Sequence, residues 1–193
     1  MEKIWLKKYD PQVEPSLTYD PSSTMVTFLE DAVEKYPENT CLIDADRHYT
    51  YHQTHEMVVR VAQNLVRLGV NKGTRIGLSL PNCSEFVIAY YGILRAGAVV
   101  VAINPFYKER EFTYQIKDAD IDWLICSEEK AKEYLPLLGT GLLKKLIIVE
   151  DDHFSEIGDR HTWAEVNAKH ADSILSFHRL TYPLERVIEL PII

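Results

Sequence analysis

The sequence predicts an α/β protein with a doubly wound, mostly parallel sheet that is flanked by helices. Short apolar runs alternate with longer amphipathic segments over much of the chain, which is the pattern of repeated β-α units. Residues 71–107 place a strand, a helix and a second strand in quick succession, and this spacing indicates a parallel pair joined by a right-handed crossover. The second strand, 98–103, is apolar without alternation, as expected of a strand that is covered on both faces.

Length and composition indicate one globular domain. The chain has 193 residues, of which 46% are apolar and 26% charged, and these are ordinary values for a globular protein. The formal net charge of −8 argues against nucleic acid as the main partner, because phosphate binding needs clustered Lys and Arg. No apolar run is long enough to cross a bilayer, and the opening residues lack the apolar region of a secretory signal. We therefore expect a cytoplasmic protein without a transmembrane segment, and contact with a membrane surface stays open.

The chain is expected to divide into three parts. Residues 1–23 form an extended leader, because prolines and scattered aromatic residues interrupt any periodic pattern. Residues 24–150 hold the β-α alternation and form the α/β subdomain. Residues 151–193 form an irregular connecting segment, in which Thr162 and Glu165 could cap a short helix.

The first elements of the subdomain are a helix over 24–36, a hairpin of strands 41–44 and 48–51, and a second helix that ends at Gly69. Thr50 and Gln53 suit a capping box at the start of the second helix. The expected apolar face of the first helix is Met25, Phe28, Leu29, Ala32 and Tyr36. The expected buried face of the second helix is Val58, Val61, Ala62, Leu65 and Leu68.

The central unit begins with strand 75–80, which Pro81 should stop because proline cannot donate to a sheet ladder. Asn82 is a good N-cap for the following helix, and Glu85 completes the capping pattern. Gly97 should end this helix, since glycine enters the left-handed conformation without a Cβ clash. The expected apolar face of the helix is Phe86, Val87, Tyr90, Ile93, Leu94 and Gly97.

The last predicted elements are a helix over 108–118, a strand over 122–126, a helix over 128–138 and a strand over 144–149. The helix over 108–118 carries its apolar positions at helical spacing. The helix over 128–138 has a charged patch that we expect to face solvent, namely Glu128, Glu129, Lys130, Lys132 and Glu133.

Few side chains are candidates for chemistry, and no catalytic, cofactor-binding or metal-binding residue is predicted. Tyr107 follows the end of an inner strand, at the edge where open α/β sheets bind ligands, so it is a candidate for substrate binding. Packing against the next helix is the alternative role. His52 and His55 could form part of a zinc shell, but the other ligands are not recognisable and a solvated helix face is expected. Ser84 has no sequence context of a nucleophile.

The glycines do not form a phosphate-binding loop. They stand at 69, 73, 77, 92, 97, 139, 141 and 158, and none of the usual glycine-rich phosphate motifs can be built from them. Gly139-Thr140-Gly141 is the nearest approach, but it lies between a helix and a strand and is expected to be a plain turn.

Three short blocks carry a resemblance to a known family. Leu80-Pro81-Asn82, the G-I-L-R-A-G at 92–97 and the N-P-F-Y at 104–107 resemble the amino-terminal region of AMP-forming acyl-CoA synthetases and their luciferase and peptide-synthetase relatives. Thr74 departs from the family pattern, which usually has Asp in this surface turn. The leader, with Trp5-Leu6 and then Tyr9, resembles the opening of long-chain fatty-acid–CoA ligases, and its aromatic residues are expected to anchor it on the domain.

The resemblance implies a parent enzyme that makes acyl-AMP and pyrophosphate from ATP and a fatty acid, after which the CoA thiol attacks the acyl-AMP and releases AMP. ATP, Mg²⁺ and CoA are the implied cofactors of the parent. The resemblance covers roughly residues 1–150, and the family's phosphate loop, its Glu for Mg²⁺ and its Asp for ribose are not found in the 193 residues. The chain is therefore expected to be an amino-terminal fragment, either a cloned piece or a truncated gene product, that is inactive alone and has the remainder of the enzyme as its partner.

Other interpretations stay open. The chain could be a standalone α/β binding or interaction module, or a ligase fragment that acts on an aryl or short-chain acid. Acyl chain length, CoA dependence and oligomeric state are not readable. Self-association is expected, because the apolar ending at 187–193 and an open edge strand would both favour contact with a second copy.

Overall fold

The computed structural model describes residues 4–14, 16, 20–138, 140–149 and the backbone of 174–176. A 3-10 turn at Ile4–Lys8 precedes the main elements. The helices are α1 (Met25–Lys35), α2 (Tyr51–Arg67), α3 (Ser84–Arg95), α4 (Glu109–Asp118) and α5 (Glu128–Leu138). The strands are β1 (Thr40–Asp44), β2 (Arg47–Thr50), β3 (Arg75–Ser79), β4 (Val99–Ala102), β5 (Trp123–Ser127), β6 (Lys145–Val149) and β7 (Ile174–Ser176). Within these ranges, no helix combines the length and the apolar character that crossing a bilayer requires.

The main sheet confirms the predicted fold class. Its strand order is β4-β3-β5-β6-β7, and every neighbouring pair is parallel. The strands β3 to β6 lie where the sequence placed them, whereas β7 was not predicted, because three residues are too few to show a period. The possible cap at Thr162 and Glu165 and the apolar ending at 187–193 lie outside the described residues.

Each face of the sheet has its own apolar core, because alternate residues of β5 and β6 point to opposite sides. Trp123, Ile125 and Ile147 lie on one side, where α1, α2 and α3 contribute to the same cluster. Leu124, Cys126, Leu146 and Ile148 lie on the other side with residues of α4 and α5. The result is a three-layer arrangement in which helices cover both faces of the sheet.

The predicted hairpin and the cap that follows it are confirmed. Strands β1 and β2 pair antiparallel, with Asp44 opposite Arg47 across the turn. Thr50 caps α2, since its hydroxyl accepts the N–H of Gln53 at 3.1 Å and the Gln53 side chain accepts the N–H of Thr50 at 2.9 Å. Both signals are local, which explains why a sequence pattern found them.

The predicted face of α1 is largely wrong. Leu29 is its only buried residue, whereas Met25, Phe28 and Tyr36 are exposed. The helix contacts the core only through Leu29 and Val33, so its other large apolar side chains lie outside the described core. Leu68, predicted to be buried on α2, is also exposed because it follows the last helical residue as the C-cap.

The predicted start of α3 is also wrong. Cys83, not Asn82, is the N-cap, and it makes no side-chain capping bond. The buried residues of the helix are Ser84, Ile88, Ala89, Gly92 and Ile93, of which only Ile93 was predicted. The helix carries apolar residues on most of its sides, so its sequence pattern does not show which face is buried. Packing decides instead: a Cβ on Gly92 would lie 2.5 Å from a methyl of Val61 on α2.

Two expectations of coverage are not met in the described part of the chain. Strand β4 is an edge strand, and Val99 is 45% exposed, so the strand is not covered on both faces as predicted. In the leader, Ile4, Trp5 and Tyr9 are all exposed, so the expected aromatic anchor is not seen. Burial within the described fold therefore does not explain why β4 and the leader carry these apolar residues.

Candidate functional site

The strand order creates a switch point at the carboxyl edge of the sheet. The chain leaves β3 towards α3 on the first face and leaves β5 towards α5 on the second face, although β3 and β5 are neighbours. In open α/β sheets, ligands bind in the crevice that such a divergence opens at the carboxyl ends of the strands. Residues that follow β3, β4 and β5 are therefore the first candidates for function.

Tyr107 lies at this edge, in the loop between β4 and α4. Asn104 shapes the loop: its side-chain oxygen accepts the N–H of Phe106 at 3.0 Å, and its carbonyl accepts the N–H of Tyr107 at 3.1 Å. The Tyr107 side chain is partly buried against the second core, and Lys130 Nζ lies 3.5 Å from the Tyr107 carbonyl oxygen. The loop is thus tied to α5. Substrate binding and packing against the next helix both stay predictions for Tyr107.

Lys130 is not on the solvent face where the sequence placed it. Its side chain is only 12% exposed, and its ammonium group lies 2.7 Å from Glu133. The side chain reaches from α5 to the loop that carries Tyr107, which the helical charge pattern did not indicate. A lysine can do this because its aliphatic stem packs against apolar residues while its ammonium group makes polar contacts.

A buried hydroxyl pair lies beneath this edge. Ser79, the last residue of β3, and Tyr134 on α5 are both fully buried, and their hydroxyl oxygens are 2.8 Å apart. Burial raises the pKa of Tyr134 to about 12, although its bond to Ser79 acts in the opposite direction. The phenol therefore stays protonated at neutral pH and acts as a fixed hydrogen-bonding group rather than as a base. Sequence reasoning missed this pair; the serine at the end of an apolar strand was the only signal.

Cys126 lies on the same face of the sheet as Tyr134 and is fully buried. Burial raises the pKa of its thiol far above the ordinary value, and Lys130 offsets this only in part. A thiol that stays protonated is a poor nucleophile, so Cys126 belongs to the core.

A second polar cluster holds the start of α3, just after β3. One carboxylate oxygen of Asp44 accepts the N–H of Ser84 at 2.9 Å and its hydroxyl at 2.8 Å. Arg47 donates to Asp44 and to Glu85, both at 2.6 Å. The cluster therefore ties the β1-β2 turn to α3.

The two carboxyl groups of this cluster are held in their charged form. The bonds that Ser84 donates, followed by those of Arg47, lower the pKa of Asp44. Burial, the largest single influence, acts to raise the pKa of Glu85, but hydrogen bonds from Arg47 and neighbouring groups, together with the charge of Arg47, leave the net pKa lowered. Carboxylates that stay charged because they accept hydrogen bonds position a loop and are not general acids at neutral pH.

The remaining sequence candidates are His52 and His55 on α2 and Ser84 at the start of α3. His52 lies 3.7 Å from Glu56 on the exposed side of α2, and burial, with the charge of Arg95, lowers the pKa of His55. Among the described residues, no three acidic, histidine or cysteine side chains come together as a metal ion would require. Ser84 donates to Asp44, which makes it part of a helix cap.

Thr140 and Gly141, from the predicted turn at 139–141, lie at the opposite edge of the sheet, since they precede β6. Thr140 donates its hydroxyl to the Leu137 carbonyl at 2.9 Å, and Gly141 has a φ of +78°, so these two residues form the predicted turn; Gly139 lies outside the described residues. A cleft of about 290 Å³ adjoins Gly141 at this edge. Its acidic residues, Asp120 and Asp122, already lie near basic partners, at 3.6 Å from Arg75 and 2.9 Å from Lys144.

Comparison with known proteins agrees with this geometry. The family model described as "AMP-binding enzyme" matches residues 29–182, which is most of the chain. The chain belongs to the AMP-binding enzyme family. Curated relatives include the long-chain-fatty-acid–CoA ligases of Bacillus subtilis, 35% identical over 124 residues, and Yersinia pestis, 35% identical over 120 residues. These matches cover 64% and 62% of this chain but only 22% and 21% of the relatives, so the chain spans about a fifth of their length.

Solved structures of CoA ligases and of a CoA synthetase share the fold. The anthranilate CoA ligase AuaEII, in complex with anthranoyl-AMP, matches 86% of this chain and 29% of its own with a TM-score of 0.68 at 24% identity. A fatty acyl CoA synthetase of Mycobacterium tuberculosis matches 64% of this chain and 26% of its own with a TM-score of 0.57 at 26% identity. The similarity to the anthranilate CoA ligase, at 24% identity, concerns the fold alone.

Two of the three sequence blocks that resemble AMP-binding enzymes lie at the carboxyl edge. Leu80-Pro81-Asn82 follows β3, and Asn104-Pro105-Phe106-Tyr107 follows β4. The block at 92–97 forms the end of α3 and its turn at the amino edge instead. The loops next to Tyr107 are thus the part of this AMP-binding family member where sequence resemblance and switch-point geometry coincide.

Proposed function

We propose that the chain supplies the amino-terminal α/β layer of an AMP-forming long-chain acyl-CoA ligase. The observation that carries the proposal is the family match over residues 29–182, made together with curated relatives that are long-chain-fatty-acid–CoA ligases. The complete enzyme would convert ATP and a fatty acid into acyl-AMP and pyrophosphate. The CoA thiol would then attack the acyl carbonyl, which releases AMP and leaves acyl-CoA.

The residues described here do not fit ATP and Mg²⁺. The polar groups near the switch point already bond one another, as in the Ser79–Tyr134 pair and the contacts of Asp44 and Glu85. Among the described residues, no three acidic, histidine or cysteine side chains come together as a Mg²⁺ site would require, and no glycine-rich phosphate motif can be built from the sequence. In the proposal, ATP, Mg²⁺ and CoA therefore bind to the remainder of the enzyme, and no step of the reaction is assigned to these 193 residues.

The contribution of this chain is structural. Lys130 and Asn104 hold the loop of Tyr107, and the Asp44 cluster holds the loop after β3, so both loops are presented at the carboxyl edge in defined conformations. Tyr107 is the residue that we propose to contact the fatty acid, as part of the wall of the acyl pocket. The proposed location is the cytoplasm, and the proposed partner is the remainder of the ligase.

A chimera tests the proposal. Residues 24–149 of this chain would replace the matching segment of the Bacillus subtilis ligase, and palmitoyl-CoA formation would be measured with ATP, Mg²⁺ and CoA. We expect activity. The matched control carries Gly92→Val, which cannot fit beside Val61 and should abolish folding and activity together. A folded chimera without activity towards any acid would favour the standalone binding module, and activity that moves to an aryl acid would favour the other-acid ligase.

The 193-residue chain alone should be catalytically silent. ATP–pyrophosphate exchange with palmitate is expected at background, because the phosphate loop and the Mg²⁺ and ribose ligands implied by the family are not in its sequence. Exchange clearly above background, in protein free of host ligase, would contradict this expectation.

A further inference from the structure

The outer edge of β4 carries backbone groups that are directed away from the sheet. The N–H groups of Val99 and Ile103 donate to carbonyls of the β3 segment, both at 2.9 Å. Because residues of a parallel strand alternate between its two neighbours, Val100 and Ala102 direct their N–H and C=O groups to the outside. β4 is the first strand of the sheet, and no strand of the described residues pairs with this side.

Two groups along this edge are already engaged within the chain. The Ala102 carbonyl accepts the side-chain amide of Gln115 at 3.0 Å, and the Ala98 N–H donates to the Ile93 carbonyl at 3.1 Å at the end of α3. The other end of the Gln115 amide, Oε1, is buried without a hydrogen-bond partner in the described structure. The edge is therefore fixed in place but incompletely bonded. The groups without a partner among the described residues are the N–H and C=O of Val100, the N–H of Ala102 and the C=O of Ala98, although Ala98 as a whole is only 5% exposed.

These open groups are self-complementary. We propose that β4 pairs antiparallel with β4 of a second copy, in a two-fold register centred on Val100. In this register the two Val100 residues exchange both of their hydrogen bonds, and Ala98 of each copy faces Ala102 of the other. The Ala102 N–H then donates to the opposite Ala98 carbonyl. A regular antiparallel ladder would also have a bond from the Ala98 N–H of one copy to the Ala102 carbonyl of the other. That bond cannot form here, but both groups already have partners within their own copy, namely the Ile93 carbonyl and the Gln115 amide.

The side chains of the edge allow such pairing. The segment from Ala96 to Tyr107 has no charged residue, and β4 has no proline or bulge, whereas sheet edges are normally protected by lysine, proline or bulges. Although the chain has a net charge of −8, the paired segments themselves would therefore bring no like charges opposite each other. The exposed Val99 side chain adds apolar contact next to the paired backbones. A second copy is thus the occupant that this edge fits, and the inference is independent of the proposed ligase function.

Sedimentation equilibrium of the full chain, at low and high salt and over a wide concentration range, tests the proposal with three variants. Val99→Lys places a charge on the edge without removing a backbone bond, and Val100→Pro removes the N–H at the centre of the register, which β3 does not use. Ile43→Lys is the matched control, because Ile43 is also an exposed β-branched strand residue but lies in the β1-β2 hairpin. Circular dichroism and denaturation midpoints establish that each variant is folded.

We expect the wild-type chain and Ile43→Lys to form the same dimer, which tightens with salt as charge repulsion is screened. Each β4 variant should weaken the dimer by about tenfold or more, since the central pair of hydrogen bonds is lost or a charge is placed beside it. Amide exchange at Val100 and Ala102 should slow as the wild-type concentration rises. A strictly monomeric wild type, equal dimerisation of all variants, or a Val100 amide protected at every concentration would each overturn the proposal, the last because the chain itself would then cover the edge.

Discussion

The two ends of α3 are held by different means. At its amino end, the N-cap Cys83 makes no side-chain capping bond, and Asp44 from the distant β1-β2 turn accepts the Ser84 N–H instead. At its carboxyl end, Gly97 has a φ of +76°, its N–H donates to Leu94, and the next N–H donates to Ile93. The second arrangement is the Schellman motif, and all of its parts lie within a few residues of sequence.

The difference separates what is local from what depends on the tertiary fold. The glycine that ends α3 was predicted correctly, because left-handed backbone needs a residue without a Cβ wherever the helix stops. The start was predicted wrongly at Asn82, because a good capping residue was present in sequence while the bond came from another element. If the two ends depend on these different partners, substitutions at each end should differ in their cost and in their dependence on pH.

Asp44→Ala should have the largest effect, because it removes the acceptor of two Ser84 bonds and one partner of Arg47. Loss of a cap that also bonds a charged group should lower the free energy of unfolding by about 2 kcal/mol. Urea denaturation measures this change. Asp46→Ala, in the same turn but exposed, is the control and should stay within about 0.5 kcal/mol of the wild type.

Asn82→Ala completes this comparison. The sequence-based cap predicts a cost similar to that of Asp44→Ala, whereas the structure predicts almost none because Asn82 is not the N-cap. If Asn82→Ala proved the more damaging of the two, the distant cap would have to be abandoned in favour of the local one.

Gly97→Val should cost about 1–2 kcal/mol, because a β-branched residue is strained at positive φ. Space is not the reason, since a Cβ at this position would meet Lys72 only at an ordinary contact distance of 3.7 Å. Gly97→Asn is the matched control, because asparagine tolerates left-handed backbone better, and its cost should be clearly smaller. Equal denaturation midpoints for the two variants would mean that conformation does not limit this end.

The amino end should respond to pH while the carboxyl end does not. The bonds from Ser84 lower the pKa of Asp44 in the folded chain. The stability that this carboxylate contributes is therefore complete above the ordinary aspartate pKa of about 3.8 and is lost as the pH falls through the lower, folded-state pKa. The stability gap between wild type and Asp44→Asn should shrink by about 1 kcal/mol between neutral pH and about pH 3. The gap between wild type and Gly97→Asn should not change, and a parallel change in both gaps would contradict the assignment.

The same distinction explains what sequence could and could not predict elsewhere. The parallel sheet, the hairpin and the Thr50 cap follow from local periods and turn residues, and all are present. The candidate site did not follow in the same way. Lys130 looked like a surface residue because its neighbours on α5 are charged, and Ser79 looked like one more strand residue, since nothing in either segment names Tyr107 or Tyr134 as a partner. Contacts between elements need the order of strands, which the sequence does not state.

The smallest expected effect concerns Asp120, which ends α4 as Gly97 ends α3. Its N–H donates to Lys117, the next N–H donates to Ile116, and its φ is +47°, so an aspartate occupies the left-handed position of a Schellman motif. Asp120→Gly should relieve this backbone strain, which is worth roughly 1 kcal/mol or less for a residue such as aspartate. Greater freedom of the unfolded chain opposes the gain. The lost contact with Arg75, at 3.6 Å between exposed groups, contributes little.

The net result for Asp120→Gly should be a gain of about 0.5 kcal/mol in the free energy of unfolding. Asp120→Ala separates the causes, because it loses the same ion pair but keeps a Cβ in the left-handed conformation, and it should be neutral or slightly destabilising. Thermal and urea denaturation of both variants measure the difference. If glycine were less stable than alanine at this position, the left-handed strain would not govern the end of α4, and the local account of the α3 carboxyl end would lose its nearest internal parallel.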